Sequence, residues 1–110
     1  MKVRYTPEAL RDLQRISASI MEKFNNETVE KRVLKNITGA IRGLEVFPYK
    51  GVEVQAVVGV LTDYRNIFNE KNYVFYRIEE EEISIIRILN EKQDYMRVLF
   101  GISEVEDEDY

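Results

Sequence analysis

Asn72-Tyr-Val-Phe-Tyr-Arg-Ile78, Glu79-Glu-Glu-Glu82 and Ile83-Ser-Ile-Ile-Arg-Ile-Leu89 form one unbroken stretch. β-Branched and aromatic residues fill both flanks, and four like charges separate them. This pattern predicts two antiparallel strands joined by a solvated hairpin tip. A turn at Glu80-Glu81 sets residue 78 opposite 83, 76 opposite 85 and 74 opposite 87. One face then carries Tyr73, Phe75, Arg77, Ser84, Ile86 and Ile88. The other carries Val74, Tyr76, Ile78, Ile83, Ile85 and Arg87. A half-solvated antiparallel sheet has one polar face, and this one has none. Both faces therefore need a cover, and a face left bare would mark a partner site.

Upstream of the hairpin the period changes. Val3 and Tyr5 alternate with charged residues and predict a short first strand. Thr6-Pro7-Glu8 follows, with a capping hydroxyl, a proline suited to the first helical position and an acid for the positive helix start. Leu10, Leu13, Ile16, Ile20 and Phe24 then step by three and four, the stripe of an amphipathic helix. Asn25-Asn26 interrupts it and can cap a second helix, whose stripe is Val29, Val33, Ile37, Ala40, Ile41 and Leu44. Gly39 inside that helix hints at close packing, and Phe47-Pro48 ends it. The short turn predicts an antiparallel helix pair that covers one sheet face. Tyr49 to Val60, with Gly51 and Gly59, reads as loop, and Tyr64 to Asn69 as another strand. Downstream, Tyr95, Met96, Leu99 and Phe100 share a helical face, and Gly101 suits the position past its end. The expected fold is α+β, in the order β-α-α-β-β-β-α, with a helix hairpin on a small antiparallel sheet. Residues 1–103 form a single domain, and 104–110 an acidic tail.

The 110 residues make one core, not two. The net charge of −4 hides an asymmetry: Glu104 to Tyr110 holds five acids, and without it 16 basic residues face 15 acidic ones. The body is near neutral, which argues against tight rRNA binding, where phosphate neutralisation carries most of the affinity. There is no apolar run of bilayer-spanning length and no signal-like start, so the expected location is cytoplasmic, without membrane contact.

The same composition narrows the chemistry. Without Cys or His there is no disulfide, thiolate nucleophile, imidazole base or His-ligated zinc. No spaced oxygen-ligand loop or phosphate-cradling glycine motif occurs, so no metal and no organic cofactor is expected. A nuclease would have to stabilise phosphate with cations and move protons with Tyr, Lys or Glu. Arg65, Arg77, Arg87, Lys92 and Tyr95 lie near the sheet and are the candidates.

The ordered set Tyr64-Arg65, Asn72-Tyr-Val-Phe-Tyr-Arg-Ile78, Ile85-Ile-Arg-Ile-Leu89 and Gln93-Asp94-Tyr95 resembles the RelE/ParE superfamily of bacterial type II toxins. Tyr5-Thr-Pro-Glu-Ala-Leu10 and Phe47-Pro48-x-x-Gly51 also fit, so the resemblance spans nearly the whole chain. It implies a toxin of a plasmid-stabilisation type, neutralised by a cognate antitoxin. RelE-like members cut mRNA on the ribosome without metal, and ParE-like members inhibit DNA gyrase. An interferase reading would assign catalysis to Arg65, Arg87, Lys92 and Tyr95. Tyr73 stands where RelE-like enzymes tend to have an arginine, and Tyr73-Val-Phe-Tyr76 with Arg87-Ile-Leu89 is closer to the ParE-like pattern. The resemblance thus favours gyrase over the ribosome, with a degenerate antitoxin-binding member as a further alternative. Tyr73, Phe75, Tyr76, Arg77 and Ile86 are the expected partner-binding residues, and self-association as a homodimer is the expected substitute when antitoxin is absent.

Overall fold

The computed structural model describes residues 1–102; the expected acidic tail, 104–110, lies outside the described residues. The chain runs β1 (Lys2–Tyr5), α1 (Pro7–Phe24), α2 (Glu27–Gly43), a 3-10 turn (Pro48–Lys50), β2 (Val52–Glu53), α3 (Val54–Val58), β3 (Arg65–Asn69), β4 (Asn72–Ile78), β5 (Glu82–Asn90) and α4 (Tyr95–Phe100). The α+β class and the main order are as expected. Two short elements, β2 and α3, replace part of the expected loop. Two and five residues are too few to show a period in sequence.

The sheet order is β1-β5-β4-β3-β2. Strands β2 to β5 are antiparallel, but β1 lies parallel to β5, pairing Lys2 with Glu82 through Tyr5 with Ile85. The sheet is therefore mixed, which corrects the antiparallel expectation. Between β1 at one edge and β2 at the other, the chain must cross the whole sheet. The α1–α2 hairpin makes that crossing and covers one face as it goes.

The helix signals act as anticipated. The Thr6 hydroxyl accepts from the Ala9 amide and donates to the Ile86 carbonyl, so one side chain caps α1 and ties it to β5. Asn25 closes α1 in the left-handed region at φ 47°, and Asn26 caps α2 by accepting from the Thr28 and Val29 amides. The stripes are less uniform. On α2, Val33, Ile37, Ile41 and the following Leu44 are buried. On α1, Leu13, Ile16 and Ile20 are half-buried, while Leu10 and Phe24 at the stripe's ends are exposed. The fully buried residues of α1 are Ala9 and a charged one, Asp12.

The β4–β5 hairpin turns at Glu80-Glu81 and pairs 78 with 83 and 76 with 85, as expected. Beyond that point the ladder shifts: Phe75 pairs with Arg87, and Val74 with Ile88. Ile86 is the extra residue of a β-bulge, and the expected pairing of 74 with 87 is wrong by one. A one-residue slip exchanges faces. Ile88 consequently joins Val74, Tyr76, Ile83 and Ile85 under the helix hairpin. Leu89 joins Phe75 on the opposite face, where Val54, Tyr64, Tyr73, Tyr95, Leu99 and Phe100 cover it. That second face is thus closed by α3 and α4 of the same chain.

Gly39 is exposed, and a Cβ there would meet nothing within 4 Å, so close packing is not its reason. Ile37, two residues earlier, is fully buried. The two positions should respond to alanine with opposite signs. Gly39→Ala should stabilise the fold by up to about 1 kcal/mol, and Ile37→Ala should destabilise it by about 2–5 kcal/mol. Urea unfolding of both variants measures this directly. Destabilisation by Gly39→Ala would show that α2 is not an unstrained helix there.

Candidate functional site

The five arginine, lysine and tyrosine candidates do not converge. Arg87 enters through the bulge. Its Nε donates to Asp12 Oδ2 at 2.8 Å and its Nη2 to Oδ1 at 2.9 Å, a bidentate pair. The Ile88 amide donates to the same carboxylate at 2.8 Å, and Arg15 to its Oδ1 at 2.6 Å. Asp12 is wholly buried, and burial alone would raise its pKa. The bonds from Arg87, the Ile88 amide and Arg15 outweigh this and hold it below the usual carboxylate value. Arg87 is thereby a structural group that locks the bulge to α1.

Arg65 is committed elsewhere. Its Nη1 donates to the Gly51 carbonyl at 2.7 Å and to the Tyr49 carbonyl at 3.3 Å, and its guanidinium lies 5.0 Å from the Tyr49 ring centre. Beside it, the Tyr76 hydroxyl donates to the Pro48 carbonyl at 2.7 Å and accepts from the Gly51 amide at 2.9 Å. Burial pushes the Tyr76 phenol pKa up, so it stays protonated for this role. Together these bonds staple the Pro48–Gly51 turn to the sheet. Glycine is required at 51, because a Cβ there would lie 2.5 Å from the Tyr76 hydroxyl and 2.7 Å from the Asn66 carbonyl.

The remaining candidates have partners of their own or none among the described residues. Arg77 donates to Asp63 at 3.0 Å and sits over the Tyr64 ring. Tyr95 packs against Tyr73 and Phe75, with ring centres 5.4 and 5.3 Å away, on the sheet face opposite the hairpin. Lys92 is exposed in the turn between β5 and α4. Of the expected partner-binding residues, Phe75 and Tyr76 are fully buried within the chain, which corrects that expectation. Tyr73, Arg77 and Ile86 are partly exposed.

What the structure does leave open is a groove of about 570 Å³ between the far end of the helix hairpin and the β3–β4 turn. Ile16, Ile20, Val33 and Ile88 contribute apolar lining. The turn at its rim holds Glu70 and Lys71 at φ 52° and 62°, the left-handed pair of a two-residue hairpin that Asn-Gly would fill at least cost. The Asn36 amide bonds the Glu70 carboxylate, and the Glu91 amide bonds the Lys71 carbonyl, which fixes the turn over the groove. This feature is absent from the sequence expectations. Its only sequence trace was a polar Asn-Glu-Lys-Asn turn, and the opposing helix end was not assignable to it.

The mixed five-stranded sheet between a helix hairpin and a short final helix is a fold shared with a solved chain. A solved chain described as the chromosomal ParDE TA system from P. aeruginosa superposes with a TM-score of 0.69 at 20% identity, covering 82% of this chain and 95% of that one. No curated protein matches the sequence. The family described as ParE toxin of type II toxin-antitoxin system, parDE, matches residues 3–95. The chain belongs to the ParE toxin family.

Two substitutions test the site's construction. Asp12→Ala should cost about 3 kcal/mol near neutral pH, because it strands Arg87 without its partner. The pH response follows from sign. A carboxylate with a lowered folded pKa stabilises fully above its unfolded value of about 3.9 and loses this as pH falls through the folded value. Urea unfolding should therefore show the gap between parent and variant closing in acid. A gap that stays constant would mean that Asp12 is not ionised in the fold. Gly51→Ala should cost about 1–3 kcal/mol by overpacking against Tyr76 and Asn66. An unchanged midpoint would contradict the turn geometry.

Proposed function

We propose that this chain is a toxin neutralised by a cognate antitoxin and directed at DNA gyrase, acting by occupying its target rather than by turnover. Membership of the ParE family supplies the toxin role. The observation that carries the choice of target is the dispersal of Arg65, Arg87, Lys92 and Tyr95. Arg65 is held by backbone carbonyls at the β2 edge, and Arg87 by Asp12 of α1. Tyr95 is stacked on the far face. A metal-independent nuclease needs cations and a proton carrier aimed at one phosphate, within hydrogen-bond reach of each other's substrate atoms. Among the described residues no two of these four bond to one another or to a common residue. A binding protein needs no such convergence.

The antitoxin has to engage what the fold leaves uncovered. The aromatic face of the sheet is closed by α3 and α4, so the exposed ends of the α1 stripe, Leu10 and Phe24, and partly exposed Ile86 offer apolar contact instead. Arg77 and Tyr73 remain accessible on the other side.

Induced expression in bacteria, with transcript integrity and plasmid supercoiling followed in the same culture, separates the targets. The expected outcome is growth arrest with loss of negative supercoiling and intact mRNA. Early ribosome-dependent mRNA cuts at unchanged supercoiling would overturn the gyrase reading and favour the interferase.

A further inference from the structure

Two charged features of the chain lie outside the toxin reading, and they are complementary. The first is the groove between the helix hairpin and the β3–β4 turn. Lys23, Arg32, Lys71 and Lys92 line it, and none of them forms an ion pair among the described residues. Arg15 lines it too, already bonded to Asp12. Only Glu70 and Glu91 oppose them, and Glu70 is engaged by Asn36. Asn72 also lines the groove, is 4% exposed, and its Oδ1 is buried without a hydrogen-bond partner. A buried acceptor without a donor favours an occupant that brings N–H groups as well as negative charge. The second feature is the β4–β5 hairpin tip, Glu79-Glu80-Glu81-Glu82. The Glu79 amide donates to the Glu82 carbonyl at 2.8 Å and closes the turn. The Glu79 and Glu82 carboxylates are held at its base, by the Ser84 hydroxyl and by Arg4. Glu80 and Glu81 are exposed, and among the described residues their carboxylates have no ion pair and their amides no acceptor.

We infer that the groove receives the Glu80-Glu81 tip of a second copy of this chain, so that copies associate head to tail. Charge is the first reason: two free carboxylates meet four free cations. Shape is the second. The two strands of a hairpin lie about 5 Å apart, and the groove holds about 570 Å³. Preorganisation is the third. The tip is already a closed turn on two long strands, so it loses less freedom on docking than a flexible acidic peptide. A chain cannot fill its own groove. Asn72, which lines the groove, begins β4, and Ile78 at the other end of that strand leads into the tip. Seven residues of strand set the two features about 20 Å apart, at opposite ends of the sheet. The contact is therefore heterologous, with different patches on the two copies. Each pair leaves one tip and one groove open, and growth continues until a ring closes. Such association is independent of the toxin's target.

Sedimentation equilibrium of the full chain tests this. The expected result is a mean mass that rises with protein concentration at about 0.1 M salt and stays at one copy at about 1 M, where charges act only within about 3 Å. Two double variants then separate the patches. Glu80→Gln with Glu81→Gln disables the tip and keeps the groove. Lys71→Gln with Lys92→Gln does the converse. Each should stay monomeric alone, with circular dichroism confirming the fold. Mixed, they should form a 1:1 pair and nothing larger, because only one working tip and one working groove remain to meet. A parent chain that stays monomeric at low salt would overturn the proposal. So would self-association of either variant at the parent's strength, a mixture that does not form the 1:1 pair, or association indifferent to salt.

Discussion

The fold depends on where Asp12 is placed. It is a fully buried carboxylate on the first helix, and a β-bulge in β5 brings Arg87 and the Ile88 amide to meet it. Burying a charge without partners costs several kcal/mol, so the helix can dock only where those donors are presented. Docking in turn requires the extra residue Ile86, because only the slipped ladder turns Arg87 to the helix and Ile88 inward. The Thr6 hydroxyl bond to the Ile86 carbonyl secures the same junction from the helix start. One interaction thus sets the angle of the helix hairpin and the register of the second half of β5 together.

The sheet's second face follows from that register. Once Leu89 is turned away from the hairpin it stacks with Phe75, and the pair makes an apolar surface that α3 and α4 close with Val54, Tyr64, Tyr95, Leu99 and Phe100. The chain therefore satisfies both sheet faces itself. Its uncovered surfaces are pushed to the periphery, where Leu10 and Phe24 protrude from α1 and the groove opens between helix tips and strand turn. At the opposite edge, Tyr76 and Arg65 staple a turn whose Gly51 cannot carry a side chain. Arginines that resemble a catalytic set by sequence are here the fasteners of the two edges.

The sequence by itself determined the element types and their order. Caps at Thr6 and Asn26, the left-handed stop at Asn25, the helical stripes, the hairpin turn at Glu80-Glu81 and the Gly101 helix end are local features, and the chain realises each within a few residues of its cause. The same local signals carried the ParE-like resemblance. The exclusion of Cys and His chemistry was equally legible, since composition does not depend on folding.

Only the tertiary structure decided the rest. Alternation along β5 cannot reveal a bulge, because an extra residue is visible only against the strand opposite, and so Ile88 was assigned to the wrong face. Asp12 drew no expectation from the sequence, because Arg87 and Ile88, which bind it, lie 75 and 76 positions away. The parallel β1 and the two-residue β2 are likewise defined by neighbours and have no period of their own. Of the site, the residue types were readable and the convergence was not. Lys23, Arg32, Lys71 and Lys92 come from four separate stretches, and only the crossing of the helix hairpin over the sheet gathers them on one rim. Local sequence fixes local conformation, but which side chains meet is set by long-range packing and by the cost of leaving a buried charge unpaired.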